Sequence, residues 1–200
     1  ALTLFVGNIA AIAQRNIKRM LAYSSIAHAG YIMMAFVTFG QQDIAGDAVA
    51  ATLFYLVAYA LTNLGSWAVV IALEGREGKG LNLDDYYGLS TKYPGLAATM
   101  VVFMLSFIGV PPTLGFVGKL YLFRTVLQGG YVWLAIIGVV TSLISAYYYL
   151  RVVVNMYMHD GDPEVHLDPW LKLVSVASAV GVVLLSLLSI PLFNWASRAV

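Results

Sequence analysis

Lys119 sits in an apolar run with Phe116, Val117, Leu120, Tyr121 and Leu122, a position that calls for a chemical reason. A lysine at mid-bilayer costs roughly 2.5 to 3.5 kcal/mol on insertion scales, so such residues usually face a polar cavity and serve a pathway. The competing reading is a lysine near a helix end whose head snorkels to the headgroups. His28 is the second candidate, because Ser24, His28 and Tyr31 stand at i, i+4 and i+7 and share one helical face. An imidazole titrates close to neutral pH, which suits proton relay.

The segment before Lys119 is Gly109, Val110, Pro111, Pro112, Thr113, Leu114 and Gly115. Its two prolines remove consecutive backbone donors and its glycines relax the chain, so no straight helix runs through it. Carbonyls freed at membrane depth are tolerated only where protein or a water-filled cavity satisfies them, as in the broken helices of transporters. A plain proline kink is the structural alternative. Two more polar stripes accompany the break: Thr52, Tyr55, Tyr59, Thr62 and Ser66 with Asn63 alongside, and Thr141, Ser145 and Tyr148. Linked by water, such groups can carry protons; taken singly, they can equally be hydrogen-bonded glue between helices.

These residues need hydrophobic helices to hold them, and the composition supplies little else. The chain of 200 residues is 60% hydrophobic and 10% charged. Its mean hydropathy is +0.82. Soluble domains carry about a quarter of their residues as charges, so a water-soluble fold is excluded. Spans of about twenty residues fall near 1–13, 20–40, 49–73, 96–127 with its break at 109–115, 131–158 and 170–196. The run Ala1 to Ala13 reads as the tail of a helix, since no basic region precedes it and no small-residue cleavage site follows. The predicted fold is an all-α, polytopic transmembrane helix bundle with a broken helix, in one transmembrane domain.

Arg15, Lys18, Arg19, Arg76, Lys79, Lys92, Arg151 and Lys172 gather on one side of the spans, and Arg124 and Arg198 on the other. The excess marks the cytoplasmic side and places the C-terminus outside the cytoplasm. A formal charge of +1 leaves no basic face for nucleic acid. Without cysteine there is no disulfide, thiolate zinc site or cysteine-held cluster, and no metal site is expected. The glycine-rich run Gly75 to Gly80 lacks the Ser or Thr of a phosphate loop and reads as a flexible connection. The run His159, Asp160, Asp162, Glu164, His166 and Asp168 departs from a calcium loop and reads as a solvated acidic turn. Leu81 to Tyr93 suits a short amphipathic element over the cytoplasmic helix ends.

The stretch Gln14-Arg15-Asn16-Ile17-Lys18-Arg19-Met20-Leu21-Ala22-Tyr23-Ser24-Ser25-Ile26-Ala27-His28 closely resembles the equivalent stretch of the antiporter-like subunits of respiratory complex I. Gly109 to Lys119 is similar to the family's second broken helix with its functional lysine. Tyr147-Tyr148-Tyr149-Leu150-Arg151 and Asp84-Asp85-Tyr86-Tyr87-Gly88-Leu89 point the same way. The lysine sets the chain with members that do not carry glutamate at that position. The resemblance implies two inverted repeats per subunit, of which this chain holds the second; the first repeat's glutamate and lysine would lie before Ala1.

The resemblance further implies a non-redox subunit of a proton-translocating NADH:quinone oxidoreductase in the bacterial inner membrane. Lys119 would be the lysine of the second broken helix, formed around Gly109, Pro111, Pro112 and Gly115, and His28 a member of the polar axis. Helical spacing adds Ser24, Tyr59, Ser145 and Tyr148 as supports. No cofactor is expected in this chain; NADH, FMN, iron–sulfur clusters and quinone would belong to partner chains. Expected partners are the other membrane-arm subunits, including a neighbouring antiporter-like subunit and small membrane subunits, together with lipid. The alternatives are a subunit of a multisubunit sodium/proton antiporter, which works without redox chemistry, and a bundle that only scaffolds the membrane arm.

Overall fold

A computed structural model describes residues 1–75, 79–166 and 168–198, with residue 198 described by its backbone only. Its helices are α1 (Leu2–Ile12), α2 (Ile17–Phe36), α3 (Gln42–Leu73), α4 (Leu89–Lys92), α5 (Pro94–Ile108), α6 (Leu114–Gln128), α7 (Val132–Met158), α8 (Pro169–Leu187) and α9 (Ser189–Arg198), with a 3-10 turn at Leu83–Tyr86. Local chemistry sets several of these ends. The Asn16 side chain accepts from the Arg19 N–H at the start of α2, and Asp168 accepts from the Trp170 N–H at the start of α8. Pro94 and Pro169 occupy first turns, where a missing N–H loses nothing.

The bundle is apolar outside and encloses a set of polar groups within a largely apolar core. Val57, Leu64, Leu120, Leu143, Leu173 and Leu187 point outward, while Asn8, His28, Ser66, Ser106, Lys119 and Thr141 are buried. An apolar exterior with its polar groups turned inward is what lipid demands. α3, α7 and α8 are each long and apolar enough to cross a membrane. α5 and α6 have fifteen residues each, about 22 Å at 1.5 Å per residue, against a hydrocarbon core of about 30 Å. Each half-helix therefore ends inside the membrane.

α3 packs against α2, α5, α6, α8 and α9. α1 and α2 form a close antiparallel pair, since a Cβ on Gly7 would fall 2.6 Å from the Ala27 backbone nitrogen and one on Gly30 would fall 3.0 Å from the Leu4 side chain. At one end of the bundle the connections interlock. Asn16 and Asn82 form a β-bridge, Lys18 pairs with Glu74, and Lys92 pairs with Asp162. Lys79 reaches Glu164 at 3.1 Å, and Arg151 donates to the carbonyls of Ile12 and Gln14 at the end of α1. Lys18, Lys79, Lys92 and Arg151, all among the cations expected on the cytoplasmic side, thus meet at a single end. The segment expected as an amphipathic cover is the 3-10 turn plus α4, with Leu83, Tyr86 and Leu89 buried over the helix ends. In the acidic turn, His159 stacks on Tyr87 while Asp162 and Glu164 hold lysines.

Several boundaries differ from expectation. The span read as 170–196 is two helices, α8 and α9, separated at Leu188. Pro191 explains the break, because its ring would clash with the carbonyl of Leu187, four residues back, and it has no N–H to offer there. α3 starts at Gln42 rather than 49, and α2 at Ile17 rather than 20. The non-helical part of the break is 109–113, so Gly115 lies inside α6. Arg76, and with it the middle of the Gly75 to Gly80 connection, lies outside the described residues.

Candidate functional site at the helix break

The two prolines decide where the site forms. α5 ends at Ile108, and Gly109 follows in the left-handed region at φ 87°, a conformation glycine adopts without steric penalty. The Gly109 and Val110 N–H groups fold back onto the Leu105 carbonyl at 2.9 and 3.0 Å. In an unbroken helix residues 111 and 112 would donate to the carbonyls of residues 107 and 108. Both are proline, so the Phe107 and Ile108 carbonyls are left without backbone donors.

Lys119 replaces them. Its Nζ donates to Phe107 O at 2.9 Å, to Ile108 O at 2.9 Å and to Ser142 Oγ of α7 at 2.8 Å. The face of Tyr31 lies 4.6 Å below it, adding a cation–π contact. Lys119 is 4% exposed, which shows that the side chain turns into the break and does not snorkel. α6 can deliver it there because Thr113 caps the second half-helix, accepting from the Phe116 N–H at 3.4 Å and donating to Val110 O at 2.6 Å. Gly115 permits the close passage of the two half-helices, as a Cβ there would come within 2.0 Å of the Ser106 carbonyl oxygen. The Ser106 hydroxyl accepts from the Gly115 N–H at 3.2 Å and meets Thr62 Oγ1 at 2.9 Å.

His28 points inward and is also 4% exposed. Its Nδ1 lies 2.7 Å from the Tyr55 hydroxyl and its Nε2 lies 3.1 Å from the Tyr149 hydroxyl. A neutral imidazole donates through one nitrogen and accepts through the other, so either tautomer is satisfied here. Phe107 joins the two candidates: its carbonyl accepts from Lys119 and its ring lies 5.2 Å from the His28 ring. The Tyr31 hydroxyl meets Thr141 at 3.3 Å, and the Tyr148 hydroxyl donates to Asn8 Oδ1 at 3.0 Å.

The remaining expected residues divide. Tyr148 lies on the polar interior through Asn8, whose own amide donates to Leu4 O at 2.7 Å. Ser24 and Ser145 turn their hydroxyls to carbonyls of their own helices, Leu21 and Ser142, at 2.7 and 2.6 Å. Tyr59 donates to Ser25 at 2.7 Å, off the Lys119 cluster, although its ring lies 4.8 Å from that of His28. Reading the sequence alone missed Ser142, Tyr149 and Asn8. Ser142 and Tyr149 are seven residues apart on one α7 face, beside the stripe chosen, and Asn8 is an amide within an otherwise apolar helix; those were the available signals.

The fold and this arrangement define a polytopic membrane protein built around a discontinuous helix whose break is capped by a buried lysine. Residues 1–145 match the family described as NADH:quinone oxidoreductase/Mrp antiporter, transmembrane, and the chain belongs to that family. It is 45% identical over 201 aligned positions to NADH-quinone oxidoreductase subunit N of Chloroflexus aggregans, covering all of this chain and 40% of the relative. It is 46% identical to subunit N 2 of Roseiflexus castenholzii, covering 99% of this chain and 41% of that one. The chain thus spans about two-fifths of the length of the curated relatives it matches. A chain of respiratory complex I from Thermus thermophilus with bound aureothin superposes with a TM-score of 0.83 at 35% identity, over 96% of this chain and 43% of that chain. A chain of the Mrp complex from Dietzia superposes with a TM-score of 0.85 at 21% identity, over 98% of this chain and 44% of that chain, a likeness of fold.

Proposed function

We propose that this chain is the second-repeat portion of a proton-translocating membrane-arm subunit of a bacterial NADH:quinone oxidoreductase, with Lys119 as its proton-exchanging group. The observation that carries this reading is the buried ammonium held at a helix break by carbonyls that Pro111 and Pro112 leave free. A structural cap alone would not require a titratable group at that depth, given the cost of placing a lysine there. His28, between two tyrosine hydroxyls, is the relay group, and Tyr55, Tyr148 and Tyr149 extend the polar interior around it. The chain carries no electrons in this reading. NADH, FMN, iron–sulfur clusters and quinone belong to partner chains, and the neighbours are further membrane-arm subunits and lipid. The inner membrane is the location, with the cation-rich end cytoplasmic and the C-terminus outside the cytoplasm.

The decisive experiment places Lys119→Ala and Lys119→Arg in the full-length subunit and measures protons moved per electron in inverted membrane vesicles. Alanine removes the exchanging group, and arginine keeps the charge but cannot release a proton. Both variants should assemble and lose translocation; an unchanged stoichiometry in both refutes the role. The Mrp likeness supports one other reading, a sodium/proton antiporter subunit. Translocation that depends on sodium and continues without NADH or quinone would select it.

A further inference from the structure

Of the three oxygens around Lys119 Nζ, only one can change its role. The Phe107 and Ile108 carbonyls can only accept, whereas Ser142 Oγ accepts from Nζ at 2.8 Å while donating to Ile108 O at 2.9 Å. That second bond is unusual in this bundle. Ser24, Thr52, Thr62, Thr125 and Ser145 all return their hydroxyl protons to carbonyls of their own helices. Ser142 gives its proton instead to a carbonyl on the half-helix that Lys119 caps.

We propose that Ser142 is the positioning residue that keeps Lys119 seated at the break in both of its protonation states. The inference rests on the reading of Lys119 as the proton-exchanging group. In the charged state the three N–H bonds of the ammonium are all taken, by Phe107 O, Ile108 O and Ser142 Oγ. When one N–H bond breaks, its proton leaves to water and its electron pair stays on Nζ. The neutral amine then has two N–H donors for the two carbonyls and one lone pair that needs a donor. The Ser142 hydroxyl supplies it by rotating from Ile108 O onto Nζ. Ile108 O keeps its bond from the lysine, so neither state leaves a buried carbonyl orphaned, and such an orphan inside a membrane is costly. The exchange therefore needs one hydroxyl rotation and no movement of either half-helix. Among ionisable groups, Tyr31 lies below Nζ, and His28, Tyr59 and Tyr149 pack around the ring of Phe107, with Tyr55 bonded to His28; α5 contributes none.

Two variants of equal shape test the hydroxyl. Ser142 is only partly buried. In the full-length subunit within its assembled complex, Ser142→Thr keeps the hydroxyl and Ser142→Val replaces it with a methyl. Translocation should stay near the natural value in Ser142→Thr and fall about tenfold in Ser142→Val, the size of one lost hydrogen bond to a charged group. Equal translocation in the two variants, whether high or low, overturns the proposal. Should the valine variant fail to assemble, Ser142→Ala answers the same question, with natural translocation as the overturning result. Lys119→Ala, measured alongside, separates this inference from the reading beneath it: loss there with full activity in Ser142→Val defeats the role of Ser142 alone, and full activity there defeats both.

Discussion

The Phe107 carbonyl accepts from the Lys119 ammonium, at 2.9 Å, the hydrogen bond that the N–H of residue 111 would supply in a continuous helix. A side chain from the second half-helix therefore completes the hydrogen bonding of the first. Phe107 also packs its ring 5.2 Å from that of His28, so one residue touches both groups.

Restoring the missing donors should compete with the lysine. The double variant Pro111→Ala, Pro112→Ala returns N–H groups to the carbonyls of Phe107 and Ile108 and removes the ring clashes that end the helix. Proton translocation should fall although Lys119 is untouched, and a structure of the variant should show helix continuing past residue 109. Full translocation with a continuous helix would separate the break from function.

Replacing His28 by Phe keeps a ring in the same space but leaves the Tyr55 and Tyr149 hydroxyls without their partner. Each orphaned buried hydroxyl costs about 1 to 3 kcal/mol, so thermal stability should drop as well as translocation. His28→Gln, which can both donate and accept but does not titrate, should recover stability without recovering translocation. Recovery of both would limit His28 to packing.

Gly115→Ala should damage the joint between the half-helices more than an alanine normally harms a helix. The new methyl would meet the Ser106 carbonyl oxygen at 2.0 Å, and backbone cannot move aside cheaply. Overpacking of this kind costs about 1 to 3 kcal/mol. The melting temperature of the solubilised complex is the measurement, and Gly95→Ala, where a Cβ would meet nothing within 4 Å, is the neutral control.

Arg151→Lys should loosen α1 although charge is conserved. The arginine spans the Ile12 and Gln14 carbonyls with two nitrogens, a fork that an ammonium cannot reproduce. The expected loss is about 1 kcal/mol, read as earlier proteolysis or faster amide exchange at the α1 end.

What could be read from the sequence was whatever violated the apolar rule. A lysine and a proline pair inside a hydrophobic run are conspicuous because lipid penalises both, and the broken helix follows from them, while the all-α bundle follows from the long apolar runs. Ser142 was not conspicuous, because a serine in a helix can satisfy itself on its own backbone, as Ser145 does, and periodicity on α7 does not reveal that Ile108 of α5 lies opposite. Asn8 was hidden for the related reason that its partner, Tyr148, is 140 residues away in sequence. The division of α8 from α9 was legible in Pro191, but composition alone favoured an uninterrupted span.

Ending α5 part way across the membrane has an electrical consequence. A helix terminus carries the equivalent of about half a negative charge at its carbonyl end, so the Phe107 and Ile108 carbonyls act as a fixed counter-charge buried in a poor dielectric. In the proposed role of Lys119, a proton that reaches it from either side has crossed only part of the transmembrane voltage, whose full span is worth about 2.3 kcal/mol per 100 mV for one charge. Under that proposal the fraction of lysines that are protonated becomes a gauge of membrane potential as well as of proton concentration. Imposing a potassium diffusion potential at constant pH should shift that fraction, and the size of the shift would report the electrical depth of the break.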